Sequence, residues 1–245
     1  MYPVLWKIGN IYIYSYGCMV ALGILVATYC CQYHAARRGL SEEKIVDLIF
    51  WVIIAGLIGG RLLYVLLNFG DYSGDLGEVF KLYKGGLVFH GGFIAGLIAA
   101  ILFIKTNKMP FWKTLDLIVL YVPIGHAFGR IGCFLNGCCY GRETSLGLGI
   151  VFPGSDMCVH PTQLYSAVLL LILFVVLFFV ERRKKYNGQI VFFYFILYGI
   201  MRFFMEFLRV DNFPVLGVLS IAQVISIGLL IAGIFFHLRF RKTAA

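Results

Sequence analysis

The sequence predicts an all-α, polytopic membrane protein of about seven transmembrane helices, with its N-terminus outside and its C-terminus in the cytoplasm. Three observations lead there. Of 245 residues, 61% are hydrophobic and 13% charged, and the mean hydropathy is +0.89; soluble domains run at about 45–50% apolar and about 25% charged. The apolar residues form continuous runs of roughly 20, enough to cross a bilayer as helix, without the period-two alternation of a barrel strand. Basic residues collect in every second connection, as the positive-inside rule requires of cytoplasmic segments.

Taken in order, the opening MYPVLWKIGN has neither a basic n-region nor a small-residue cleavage site, so no removable signal peptide is expected. The first span covers about 11–33 and is followed by Arg37, Arg38 and Lys44. The second covers about 45–67, and a longer outer connection at about 68–85 leads to the third, about 86–105. Lys105, Lys108 and Lys113 precede the fourth, about 114–135, and a second long connection at about 136–162 reaches the fifth, about 163–181. Arg182, Arg183, Lys184 and Lys185 lie before the sixth, about 190–208; Arg239, Arg241 and Lys242 close the seventh, about 215–237. No repeat or low-complexity linker interrupts the series, so residues 1–245 are read as a single transmembrane domain. The net charge of +9 is largely this topology signal, and nucleic acid is excluded as a partner. An odd count of seven cysteines, with Cys30 and Cys31 inside an apolar run, is no secreted disulfide framework.

The remaining basic residues fall on the outer side, where ionisable groups at membrane depth point to function. Arg202, Glu206 and Arg209 stand at i, i+4 and i+7 on one face of the sixth span. One glutamate cannot neutralise two arginines, so an anion completes the stripe better than a neighbouring helix does. Arg61 follows Gly59-Gly60, and Arg130 lies in GRIGCFLNGCCYGR beside His126 and Asn136. Guanidinium forks match phosphate oxygens, and the phosphate at headgroup depth is a phospholipid's. The alternative is snorkelling to the interface, which suits Arg142 and Arg209 better than Arg130 and Arg202. His90, inside GGLVFHGGFIAG, is a candidate general base, with His126 and His160 weaker ones; a structural histidine is the competing reading. Cys133, Cys138 and Cys139 cluster around Asn136, but C-x4-C-C is not a zinc signature, so neither metal nor cofactor is expected. A disulfide from Cys133 to either of the others, or one using Cys158, is compatible with the spacing.

The motifs SYG at 15–17, GGRLLYVL, FHGG, GRIGCFLNGCCYG, HPTQLY at 160–165 and MRFFMEFLR at 201–209 together resemble the prolipoprotein diacylglyceryl transferases. They occur in that family's order along nearly the whole chain. The resemblance implies a seven-helix bacterial inner-membrane enzyme with its active site toward the outer face. Such enzymes move diacylglyceryl from phosphatidylglycerol to the lipobox cysteine at the signal-peptide region of a preprolipoprotein, releasing glycerol phosphate. It implies an essential arginine at Arg130, signature positions at Asn136 and Gly141, the HGG histidine at His90, a headgroup tyrosine at Tyr16, and the arginine-glutamate-arginine stripe at Arg202, Glu206 and Arg209. Two departures stand out: Cys133 and Cys138 occupy positions where the family has asparagine and glutamate, and Ser166 stands where it commonly has glutamate. Rival readings are a paralogue with another acceptor, an enzyme using the Cys133, Cys138 and Cys139 thiols, and a phospholipid-binding or transport protein. The polar residues thin out below the outer half of the spans, which disfavours transport.

Overall fold

The structure is a computed structural model, and it describes residues 1–9, 11–72, 76–80, 85–145, 147–153, 156–210 and 219–243. It is mostly helical. Strands β1 (Val4–Ile8) and β2 (Ile11–Tyr14) lead into α1 (Ser15–Ala35), α2 (Glu42–Leu67), the short α3 (Phe69–Tyr72), α4 (Phe89–Thr106) and α5 (Phe111–Asn136). Strands β3 (Ile150–Val151) and β4 (Cys158–Val159) precede α6 (Thr162–Arg182), α7 (Gln189–Glu206) and α8 (Ile221–Thr243). Among the described residues, seven helices are long and apolar enough to cross a membrane. Their flanks carry large apolar side chains in the open, such as Leu25, Phe179 and Ile231, which suits contact with lipid.

Two boundaries differ from the sequence expectation. Ile11–Tyr14 is not the start of a span but the second arm of an antiparallel hairpin, pairing Val4 with Tyr14 and Ile8 with Ile11. The last helix begins at 221 rather than about 215, and residues 211–218 lie outside the described ones. Its start is fixed by a capping box: the Gln223 amide donates to Ser220 Oγ (3.2 Å) and the Ser220 amide to Gln223 Oε1 (3.0 Å).

The chain divides into two compact units, Met1–Cys31 with Leu115–Ala245, and Gln32–Thr114. In the second, α2 opens on Ser41, whose hydroxyl accepts from the Lys44 amide, with Glu42 and Glu43 in the first turn where the helix dipole favours negative charge. α2 and α4 meet at glycines: a Cβ on Gly59 would lie 2.6 Å from the Gly91 carbonyl oxygen, so the two backbones touch with no room for a side chain.

In the first unit, α5 packs on α6 through Tyr121 and Phe174 and on α7 through His126 and Tyr198, with ring centroids 5.8 and 5.9 Å apart. The start of α7 is held by Asp116 of α5, whose side chain is fully buried. Its carboxylate accepts from the amides of Gly188 (2.7 Å), Ile190 (3.0 Å) and Val191 (3.1 Å) and pairs with Lys184 at 2.8 Å. One buried anion thus satisfies the free N–H groups of a helix start. Asp116→Ala is expected to cost about 3–5 kcal/mol, because it leaves those donors and a half-buried ammonium uncompensated. A thermal melt of the purified variant in detergent checks this; an unshifted melting temperature refutes it.

Candidate functional site

The far end of α5 carries His126, Arg130, Cys133 and Asn136. One turn apart, Arg130 Nε–H donates to His126 Nε2 at 3.3 Å, which fixes that ring nitrogen as the acceptor and aligns the guanidinium. On α7, Arg202 Nη2 stands 2.8 Å from Glu206 Oε2. The helix ends at Glu206, so Arg209 does not continue the helical face that its spacing suggested. Gly141 and Arg209 form a β-bridge instead, and Arg209 Nε reaches the same carboxylate oxygen at 3.9 Å. The reason is local: the amides of Phe207, Leu208 and Arg209 each bond three residues back, tightening the chain out of the α-helix. Glu206 is 4% exposed, and its other oxygen accepts from the Ser220 hydroxyl at 3.1 Å, so the α8 cap also fixes the acid.

Arg202 lies within electrostatic range of Glu206, Arg209 and Arg130, and His126 within range of Arg130 and Arg202. One carboxylate therefore serves Arg202 and Arg209, with Arg130 in electrostatic range of Arg202. The excess positive charge gives this end of the helices an attraction for anions, strengthened by partial burial.

Main-chain bonds knit the surrounding loops together. The Gly141 amide donates to the His160 carbonyl (2.8 Å), Arg142 to Leu208 (2.8 Å) and His160 back to Arg142 (3.0 Å). A Cβ on Gly141 would meet the Leu208 carbonyl oxygen at 2.5 Å and Thr162 Cγ2 at 2.6 Å, so the signature glycine is needed for this close approach. Tyr16, near the start of α1, packs on Gly132 of α5, and its phenol lies in electrostatic range of Cys133, Cys138, Arg130 and Cys139. Asn136 is exposed at the end of α5, and its side chain hydrogen-bonds the Cys138 thiol.

The three signature cysteines are free thiols whose sulfurs all lie within 4.8 Å of one another. Burial pushes the Cys138 thiol up. Cys139 is held well below the ordinary thiol range, to about 5, first by a hydrogen bond from the Cys133 thiol and further by that of Cys138 and the nearby Arg209 and Arg130. Because its folded pKa is lowered, Cys139 is thiolate from mildly acidic pH upward. Its iodoacetamide labelling, followed by peptide mass spectrometry in reduced and chelator-treated protein, is expected to stay nearly flat from about pH 6 to 8, where an ordinary thiol gains close to tenfold per unit. A tenfold rise per unit at Cys139 would overturn this.

The second unit holds the other two candidates. Arg61 is 6% exposed; its Nε donates to the Val79 carbonyl (2.8 Å) and its Nη1 to Gly85 (2.7 Å) and Gly86 (3.2 Å), and it stands over the rings of Tyr64 and Tyr72. These bonds make Arg61 a strap that ties Val79, Gly85 and Gly86 to α2. His90 is exposed in the first turn of α4.

Sequence reasoning passed over Asp116, Gln163 and Ser220. Asp116 is visible as a lone acid in an apolar run, Ser220 as S-x-x-Q ahead of one, and Gln163 only as part of HPTQLY, with no sign of what it bonds.

The fold and this cluster define a multi-pass membrane protein that gathers arginines at the ends of α5 and α7. A family model described as prolipoprotein diacylglyceryl transferase matches residues 3–239. The chain is 39% identical to the phosphatidylglycerol–prolipoprotein diacylglyceryl transferase of Clostridium tetani, over 99% of this chain and 100% of that protein. It is 36% identical to the enzyme designated 2 of Clostridium perfringens, over 96% and 93% of the two chains, and 34% identical to that of Geobacter sulfurreducens, over 95% and 92%. The chain belongs to the prolipoprotein diacylglyceryl transferase family.

Proposed function

We propose that this protein transfers the diacylglyceryl group of phosphatidylglycerol to the lipobox cysteine of preprolipoproteins, at the outer face of a bacterial plasma membrane. The observation that carries the reading is the imbalance of charge in this cluster: Arg202 pairs with Glu206 at 2.8 Å, Arg209 stands 3.9 Å from the same oxygen, and Arg130 lies in electrostatic range of Arg202. Membership of the family supplies the reaction. The placement of basic residues in alternate connections supports the sidedness, with the arginine end outside.

The chemistry matches what such a cluster does well. The acceptor thiolate attacks the glycerol carbon of the diacylglyceryl group; a carbon–sulfur bond forms and the carbon–oxygen bond to phosphate breaks. Phosphate enters as a diester with one negative charge and leaves on glycerol phosphate with two, so charge builds up on its oxygens in the transition state. Guanidinium groups already held in place by His126 and Glu206 stabilise that charge without reorganising. In this reading Arg130 and Arg202 hold the phosphate, Arg209 adds to the field, and Tyr16 and Asn136 orient the headgroup. The resemblance, rather than geometry, supports His90 as the acceptor of the thiol proton.

Purified protein in phosphatidylglycerol liposomes with a lipobox peptide tests the reading. The expected product is a peptide heavier by one diacylglyceryl group, formed only when the peptide carries cysteine and not serine. A folded protein that binds phosphatidylglycerol yet leaves the peptide unmodified would assign it a different acceptor.

A further inference from the structure

The proposed reaction gives no task to Cys133, Cys138 and Cys139, the first two of which stand where the family has asparagine and glutamate. Their surroundings are built. Cys133 sits on the last turn of α5, and the chain then reverses through Gly137 at φ +74° and Cys139 at φ +64°, the latter a left-handed conformation unusual for a side chain with a Cβ. The Cys138 amide donates back to the Cys133 carbonyl at 3.1 Å. From α6, Gln163 Nε2 donates to the Cys138 carbonyl (2.6 Å) and Thr162 Oγ1 to the Cys139 carbonyl (2.8 Å), and both residues are almost fully buried. The main chain of the turn is therefore fixed on both sides.

Within that frame the three sulfurs lie inside 4.8 Å of each other. A tetrahedral ion with metal–sulfur bonds of about 2.3 Å needs sulfurs about 3.8 Å apart. The difference of about 1 Å is within the reach of side-chain rotation about a fixed backbone. Charge favours the arrangement too: three thiolates on a divalent ion leave one net negative charge, and Arg130 and Arg209 lie in electrostatic range of Cys139 to offset it. Gln163 Oε1, on the amide that binds the Cys138 carbonyl, is buried without a hydrogen-bond partner among the described residues.

We propose that Cys133, Cys138 and Cys139 form a site for one thiophilic d10 metal ion of the zinc type, bound by three thiolates with a fourth position open. Binding forms three metal–sulfur bonds and releases to solvent the thiol protons still present; no electron is transferred. The soft sulfur donors discriminate against magnesium and calcium. Spacing along the chain does not suggest the site, because the sulfurs converge only through the left-handed turn after α5.

Cobalt titration of the reduced, chelator-treated full-length protein is the test. The expected result is a thiolate-to-cobalt charge-transfer band with tetrahedral visible bands, saturating at one ion per chain and displaced by zinc, and three thiols per chain shielded from a thiol reagent once zinc is bound. Cys133→Ser and Cys139→Ser should each weaken binding roughly 100-fold or more, whereas Cys30→Ser should not. Metal-free melting of each variant separates loss of a ligand from loss of fold, and Cys138→Ala supplies a third probe should either serine variant fail to fold. The proposal is overturned if no charge-transfer band develops, if Cys133, Cys138 and Cys139 stay as reactive in excess zinc as without it, or if the reduced protein takes up no metal and reoxidises to a Cys133–Cys139 disulfide.

Discussion

Arg130→Ala is expected to lower transfer of diacylglyceryl by about 10³-fold, the scale seen when one preorganised donor to a developing oxyanion is removed. The loss should fall mainly on kcat, because the interaction strengthens as the second phosphate charge appears. Arg130→Lys keeps the charge but not the planar fork, and it has no Nε–H to give His126, so it should recover only a small part of the rate. Turnover by each variant in phosphatidylglycerol liposomes, with a melting curve to show that the fold persists, checks the expectation. Near-normal turnover in a folded Arg130→Ala protein would remove Arg130 from the phosphate site.

The second large effect is on stability. Glu206 is 4% exposed and serves two arginines and the Ser220 hydroxyl. Glu206→Gln strips the charge while preserving the shape, leaving Arg202 and Arg209 side by side in a partly buried setting. The expected cost is about 3–5 kcal/mol, as for other buried pairs broken from one side. Removing the second partner as well, in Arg202→Met with Glu206→Gln, should return part of that stability, because the uncompensated charge goes with it. Melting temperatures of the single and double variants decide the matter: a double variant less stable than the sum of the singles would show that the ion pair is not what Glu206 contributes.

Much of this was legible in the chain because a bilayer writes strong rules into a sequence. Continuous apolar length and the alternation of basic residues locate the spans before any packing is known. Arg130, Arg202 and Glu206 stand out for the same reason, since charge at that depth is rare. The misplacements arise where the deciding interaction is tertiary or lies in a few residues. Ile11–Tyr14 is apolar enough to read as helix, and only its pairing with Val4–Ile8 makes it a strand. Arg209 has helical spacing, but the bridge to Gly141 takes it off the helix. Nothing near GGRLLYVL in the sequence announces that its arginine also donates to the carbonyls of Val79, Gly85 and Gly86. The cysteines were visible as a group, but a positive φ at Cys139 is not something that residue type announces.

The anchorage of α7 has a mechanical consequence. Asp116 and Arg130 lie 14 residues apart on α5, about 21 Å at 1.5 Å per residue. Asp116 clamps one end of α7 while Arg202 and Glu206 ride on the other, so the carboxylate stands where a pivot between the two helices would lie. A swing of about 5° at the pivot moves the tips by nearly 2 Å over such a lever arm, comparable to the difference between gripping a phosphate and missing it. Pro123, between pivot and tip on α5, lacks the N–H that would stiffen that arm. If the arginines hold the phosphate as proposed, how they are placed is thus set in part by an acid about 21 Å away along α5.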